Sequence, residues 1–236
     1  MLRRLAIAGG LLLLVGVLAD RGLAAVAGDG AAAAIQRSER LRERPAVRFR
    51  GFPFLTQAIG GEFREVEITV RELTRDGLKF DRVDVVLREV RLSLGHAMSG
   101  EVEAVPVGSG SARLLLGYDD LTRFLQGRPG RLQVTARGDR AVVSGTVVLP
   151  GQGSVDLEGD GVASLRGQRL LVAVAHPRRV DGRPLSRVGS ALATSRLTFA
   201  IDVANLPFGI TVTTVATGPD GLVVGASARS IVVRAR

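Results

Sequence analysis

The sequence predicts an α+β protein built on a highly curved antiparallel β-sheet. Three observations carry that expectation. Apolar and polar residues alternate with a period of two through most of the chain after Pro45, as they do on a strand with one buried face and one wet face. The alternation changes phase once inside an unbroken strand pattern, the mark of a β-bulge, which adds twist and bend. Helical spacing is confined to the N-terminal segment and to two short stretches farther on.

The chain opens "MLRRLAIAGGLLLLVGVLAD": Arg3 and Arg4 precede an uncharged run from Leu5 to Ala19, Asp20 and Arg21 follow it, and Ala25 and Ala27 form a small-residue A-x-A site. A basic start, a short apolar stretch and such a site make an export signal. The run is shorter than the ~20 residues of a membrane-spanning helix, and "GLAAVAG" extends it if Arg21 snorkels. Residues 1–27 are thus expected to be an export signal or membrane anchor, either cleaved near Ala27 or kept, and residues 28–236 a single domain. From Ala31 to Arg44, "AAAAIQRSERLRER" is rich in helix formers and stops at Pro45, which disfavours helix in the residue before it. This predicts a helix leading away from the membrane.

After Pro45 the period becomes two. "REVEITVREL" places Val66, Ile68 and Val70 on one face. "KFDRVDVVLREVRLSL" alternates through Val83, Val85 and Leu87, then resumes out of phase at Val90, Leu92 and Leu94, so a bulge belongs between Leu87 and Val90. In "SARLLLGYDDLTRFLQG", Asp119 or Asp120 is placed to cap a helix whose Leu121, Phe124 and Leu125 share a face. Strands return in "RLQVTARGDRAVVSGTVVLPG", with a Gly138-Asp139 turn, and in "GSVDLEGDGVASLRGQRLLVAVAHP", with a turn at Gly167-Gln168. A second short helix is expected around Leu185 to Ala193, then "RLTFAIDV" with Leu197, Phe199, Ile201 and Val203 alternating. Two last strands, "ITVTTV" and "LVVGASARSIVV", are joined by the Pro-Asp-Gly turn of "TGPDG".

Composition narrows the function classes. Aromatic residues are 4% of the chain, so the core is built from Val, Leu, Ile and Ala. A net charge of +9 and a pI near 11.4 suit an anionic partner, but acidic residues are interspersed with the arginines and describe a mixed solvated surface. Nucleic acid is not expected: the few aromatics available for stacking sit in apolar, proline-containing loops, not among strand arginines. There is no cysteine, hence no thiol nucleophile and no disulfide. The glycine stretches match no nucleotide-binding pattern, and no metal-ligating spacing occurs; neither cofactor nor metal is expected. The two histidines, His96 and His176, fall in expected loops or strand ends, and no G-x-S-x-G elbow accompanies them. A lipid hydrolase would need one of them to find a serine. Surface histidines are the expectation.

One stretch stands apart. "RFRGFPFLTQAIGG", residues 48–61, holds Phe49, Phe52 and Phe54 in a chain with only eight Phe, one Tyr and no Trp. "LPFG", residues 206–209, echoes it near the other end. Together with "KFDRVDVVLREVRL", "SARLLLGYDDLTRFL" and "NLPFGITVTTVATGPDGLVVGASARSIVV", this stretch resembles the actinobacterial LmeA-like phospholipid-binding family, over about Ala31 to Val233. The resemblance implies an exported envelope protein that is not an enzyme. Its expected fold is similar to bactericidal/permeability-increasing and other tubular lipid-binding domains, with the curved sheet wrapped around a long helix. It implies phospholipid binding, including phosphatidylinositol or another anionic lipid, and a part in the maturation of mannosylated envelope glycolipids alongside an envelope glycosyltransferase at the membrane surface. Carried onto this sequence, Phe52, Phe54 and Leu55 would shape one apolar loop at a cavity mouth, and Leu206, Phe208 and Ile210 another; the same rings could instead plug the ends of the sheet. Arg48, Arg50 and Arg64 are the candidate headgroup contacts. The alternative is an envelope scaffold whose apolar loops bind a membrane enzyme without carrying lipid.

Overall fold

The structure, a computed structural model, describes residues 2–75, 77–92, 104–127, 131–167, 169–202 and 211–234. Among them are four helices and two open antiparallel sheets, an α+β arrangement as expected. The strands are distributed over two sheets where the sequence suggested one. The first runs β1 (Ala46–Arg50), β2 (Glu62–Arg75), β3 (Leu78–Arg91), β4 (Ala104–Gly117), β11 (Gly221–Arg234), β10 (Thr211–Thr217). The second is a meander of β5 (Gln133–Arg137), β6 (Arg140–Leu149), β7 (Gly153–Arg166), β8 (Arg169–Arg179) and β9 (Phe199–Asp202). The chain divides into two compact units, one of Met1–Val70, Asp84–Ser111 and Ala228–Arg236, the other of Arg71–Val83 and Ala112–Ser227.

The first unit is organised by α1 (Leu2–Ser38), a single unbroken helix where the sequence suggested an export segment and a separate helix from Ala31. Small residues explain the continuity. Ala24 and Ala32 are buried, with Ala27, Ala31 and Ile35 packed beside them against Val47 of β1. At Gly28 the helix comes so close that a Cβ would sit 2.5 Å from the Val47 carbonyl oxygen. The helix ends at Ser38, short of the expected Arg44. Leu41 N–H donates to the Gln36 carbonyl at 3.0 Å and Arg40 N–H to Arg37 at 3.4 Å, with Arg40 at φ 52°. This is a Schellman termination with an arginine in the left-handed position usually held by glycine.

In β2, Phe63, Val66 and Val70 are buried, and in β3 Val83 and Val90. The expected irregularity of β3 is present: Glu89, between Leu87 and Val90, has φ 55° inside the strand.

The second unit has its own core. Leu121, Val143, Leu157, Val172 and Leu197 are among its fully buried members. α3 (Tyr118–Gln126) buries Leu121 and Leu125 and is tied to β5 twice through Thr122, whose hydroxyl donates to the Val134 carbonyl at 3.0 Å and accepts from its N–H at 2.8 Å. Its N-cap is Gly117 without a side-chain bond, not Asp119 or Asp120, which stand in the first turn and there favour the positive end of the helix dipole. α4 (Arg187–Leu197) starts at Ser186, whose hydroxyl accepts from Gly189 N–H at 3.0 Å. It takes Leu197 out of the expected strand, and β9 begins only at Phe199. The Gly138-Asp139 turn is present, Arg137 pairing with Arg140 around Gly138 at φ 62°.

Candidate functional site

The aromatic stretch folds into a tight loop and a short helix. Gly51 turns the chain at φ 97°, and the Phe52–Pro53 peptide is cis. α2 (Phe54–Gly60) follows, with Pro53 as its N-cap. Gln57 closes the loop on itself: its Nε2 donates to the Pro53 carbonyl at 3.2 Å, and its Oε1 accepts from Arg64 N–H of β2 at 2.9 Å. Gln57 also packs on Gly51, where a Cβ would lie 2.9 Å from Nε2. The motif therefore needs glycine at position 51 for both conformation and space.

A proline cap offers no side-chain acceptor to the first amides of α2. Asp20 of α1 supplies it. Its two carboxylate oxygens accept from Phe54 N–H at 3.0 Å and Leu55 N–H at 2.9 Å, and the residue is only 3% exposed. Arg21 completes the network, donating to Asp20 at 2.9 Å and to the Gly51 carbonyl at 2.7 Å. Its guanidinium lies 5.4 Å from the centre of the Phe52 ring, within cation–π range. The sequence reading missed Asp20, Arg21 and Gln57 as site residues. An acid placed directly at the end of an apolar run was the available signal, because a buried carboxylate persists only with partners.

This network sorts the candidate residues. Phe54 is buried and joins Phe49 and Phe63 in a ring cluster with centroids 4.9 to 6.0 Å apart. Phe52 and Leu55 stay 51% and 43% exposed, and Ile59, one turn beyond Leu55, 82%. Leu55 and Ile59 make an exposed apolar face on α2, and Phe52 is exposed on the loop just before it. Arg48 and Arg50 alternate along β1 with Val47 and Phe49 and face solvent. Arg50 donates to Glu67 at 2.8 Å, and that bond holds its guanidinium pKa above the ordinary value. Arg64 is exposed on β2. Leu206, Phe208, Ile210 and His96 lie outside the described residues.

His176 marks a bulge in β8. Glu158 pairs with Arg178 but Asp160 with Ala175, which leaves one extra residue on β8, and His176 has φ 49° there. Its side chain is exposed, 3.9 Å from Asp160. In the second unit a polar depression of about 410 Å³ is lined by Lys79, Asp81, Tyr118, Asp120, Arg123 and Asp220, among others. Burial and the charge of Asp120 hold the Asp81 carboxyl above its ordinary pKa. Its lining offers carboxylates and cations, not acyl-chain surface.

No curated protein and no solved structure matches the chain. The family model for LmeA-like phospholipid-binding proteins does, over residues 18–227, a span that begins just before Asp20 and takes in the loop, α2 and both sheets. The chain belongs to the LmeA-like phospholipid-binding family.

Proposed function

We propose that this protein is a non-catalytic phospholipid carrier of the cell envelope, exported to the outer face of the plasma membrane, where it supports maturation of mannosylated phosphatidylinositol-type glycolipids together with an envelope glycosyltransferase. Phe52 and Leu55 contact the acyl chains, Phe54 holds their loop in place through its ring cluster, and Leu206, Phe208 and Ile210 supply the second loop. The headgroup is anionic and lies near Arg48 and Arg64, with Arg50 already engaged by Glu67.

The observation that carries the reading is the pair of half-exposed apolar side chains, Phe52 and Leu55, on a loop fixed by Asp20, Arg21 and Gln57. A loop already ordered loses little entropy when it meets a ligand, and each methylene it removes from water contributes about 0.8 kcal/mol. The scaffold reading draws on a different observation. Leu121, Leu157, Leu197 and Leu222 are 0% exposed, so the core of the second unit is filled by its own side chains.

Native mass spectrometry with lipid extraction on the full chain in mild detergent separates the two. The carrier reading expects one diacyl phospholipid to survive purification and to be lost in Phe52→Asp and Leu55→Asp, both at exposed positions and both with unchanged thermal melting. A folded chain that is lipid-free and takes up no added phosphatidylinositol favours the scaffold.

A further inference from the structure

α1 is made of two parts with different surroundings. From Leu11 through Val15, and again at Leu18, every apolar side chain is exposed. Consecutive helical residues point 100° apart, so this part is apolar all round and exposed, with Val17 half-buried; such a helix belongs in the interior of a protein or in a membrane. From Asp20 onward the same helix has one occupied face, the small-residue stripe built into the core of the first unit. Gly10–Ser38 is long and apolar enough to cross a membrane, and its most apolar stretch is hardly buried in the protein. The uncharged run from Leu5 to Ala19 covers about 23 Å at roughly 1.5 Å per residue, a few ångström short of the ~30 Å hydrocarbon thickness of a bilayer, a mismatch that local thinning of the bilayer accommodates.

We propose that α1 stays in the mature protein as a membrane anchor, and that Phe52 of the loop with Leu55 and Ile59 of α2 rest in the interfacial layer of the leaflet where that anchor emerges.

Retention follows from what cleavage would remove. A cut after Ala27 takes away Asp20, the acceptor for the first two amides of α2, and Ala24 of the buried stripe. It would also have to open a helix at a residue packed against that stripe. The position of α2 follows from the same contacts. Asp20 and Arg21 stand at the end of the apolar run, and both bond directly to the Gly51–Leu55 segment. The exposed α2 face is thereby fixed at the level where the all-apolar part of α1 stops. An aromatic ring stacked under a guanidinium, beside aliphatic side chains, suits the headgroup boundary, where amphipathic rings and snorkelling cations collect. The basic Arg3 and Arg4 at the start of the run orient it with that end on the cytoplasmic side. The occupant of the face is the bilayer itself, and the inference holds whether or not a single lipid is carried.

The chain has no tryptophan, so single-tryptophan variants report cleanly. Phe52→Trp and Ile59→Trp, in the full chain reconstituted into phosphatidylcholine–phosphatidylglycerol vesicles, should be shielded from iodide and quenched by brominated acyl chains. Bromines near the headgroup end should quench more than bromines near the chain terminus. Quenching should rise with the brominated fraction of the bilayer, whereas a single carried lipid saturates at one equivalent and would not place the face in the membrane. Intact-mass analysis of the chain recovered from membranes of an exporting host should include residues before Ala27. A mature chain starting near Gly28, or a tryptophan at 59 open to iodide and untouched by brominated lipid, overturns the proposal.

Discussion

Gln57 and Gly51 carry the loop between them. Gln57 is 8% exposed and satisfies a carbonyl on one side and a strand amide on the other; removing a partner from a buried polar group costs about 1–3 kcal/mol. Gln57→Ala should therefore lower stability by roughly that amount in urea titrations and weaken lipid retention, and Gln57→Glu, which keeps the acceptor for Arg64 N–H but sets a buried carboxylate oxygen against the Pro53 carbonyl, should lose at least as much. At the surface, Asp181 titrates at about 2, below its ordinary 3.8, because the Arg179 guanidinium bonds it and the Arg183 N–H adds a further bond. A carboxylate with a lowered folded-state value contributes stability above its unfolded pKa and loses it as pH falls through the folded one. The stability gap between the native chain and Asp181→Asn should thus be full above about pH 4 and close toward pH 2, read from denaturation midpoints across that range.

Along the elements, the period of two located the strands well because each has one packed face: Val66 and Val70, or Val83 and Val90, are buried as the alternation requires. The phase change at Glu89 was legible for the same reason. Helix ends were not. α1 runs through Gly28 and Gly30 because its stripe of small residues meets β1, a tertiary reason that no local pattern displays. The same helix stops at Arg40 by a turn whose preferred residue is glycine. Left-handed conformation costs an L-residue about 1–2 kcal/mol, and a glycine returns part of that by loosening the unfolded chain. Arg40→Gly should raise stability by about 0.5–1 kcal/mol, measurable as a higher urea midpoint with an unchanged slope. The aromatic loop was recognisable as unusual from composition alone, yet the roles of its rings divided only once Asp20 was seen to hold α2: Phe54 turns inward and Phe52 outward.

For the molecule as a whole, each unit has a separate core, and neither core shares a residue with the other. A chain starting at residue 41 lacks α1 and should lose the first unit selectively, binding hydrophobic dye before heating and showing only the melting step of the second unit. A chain starting at residue 19 keeps Asp20 and the stripe, and should melt like the full chain. Equal melting of the two truncations would mean that α1 contributes nothing to the fold.

The first unit also closes late. Its pieces come from both ends of the chain, and Ile231 of β11 packs on the same cluster as Ala24 and Phe63. Synthesis at about 5–20 residues per second separates the end of α1 from β11 by roughly 10–40 s. During that interval the meander of β5 to β8, whose partners are all sequence neighbours, has everything it needs to fold by local pairing, the fast kind. In the first unit α1 meets β1 and α2 within the first sixty residues, and the contact with Ile231 waits for the last strand. The cluster around Ala24 and Phe63 is thus completed only when the end of the chain has joined it.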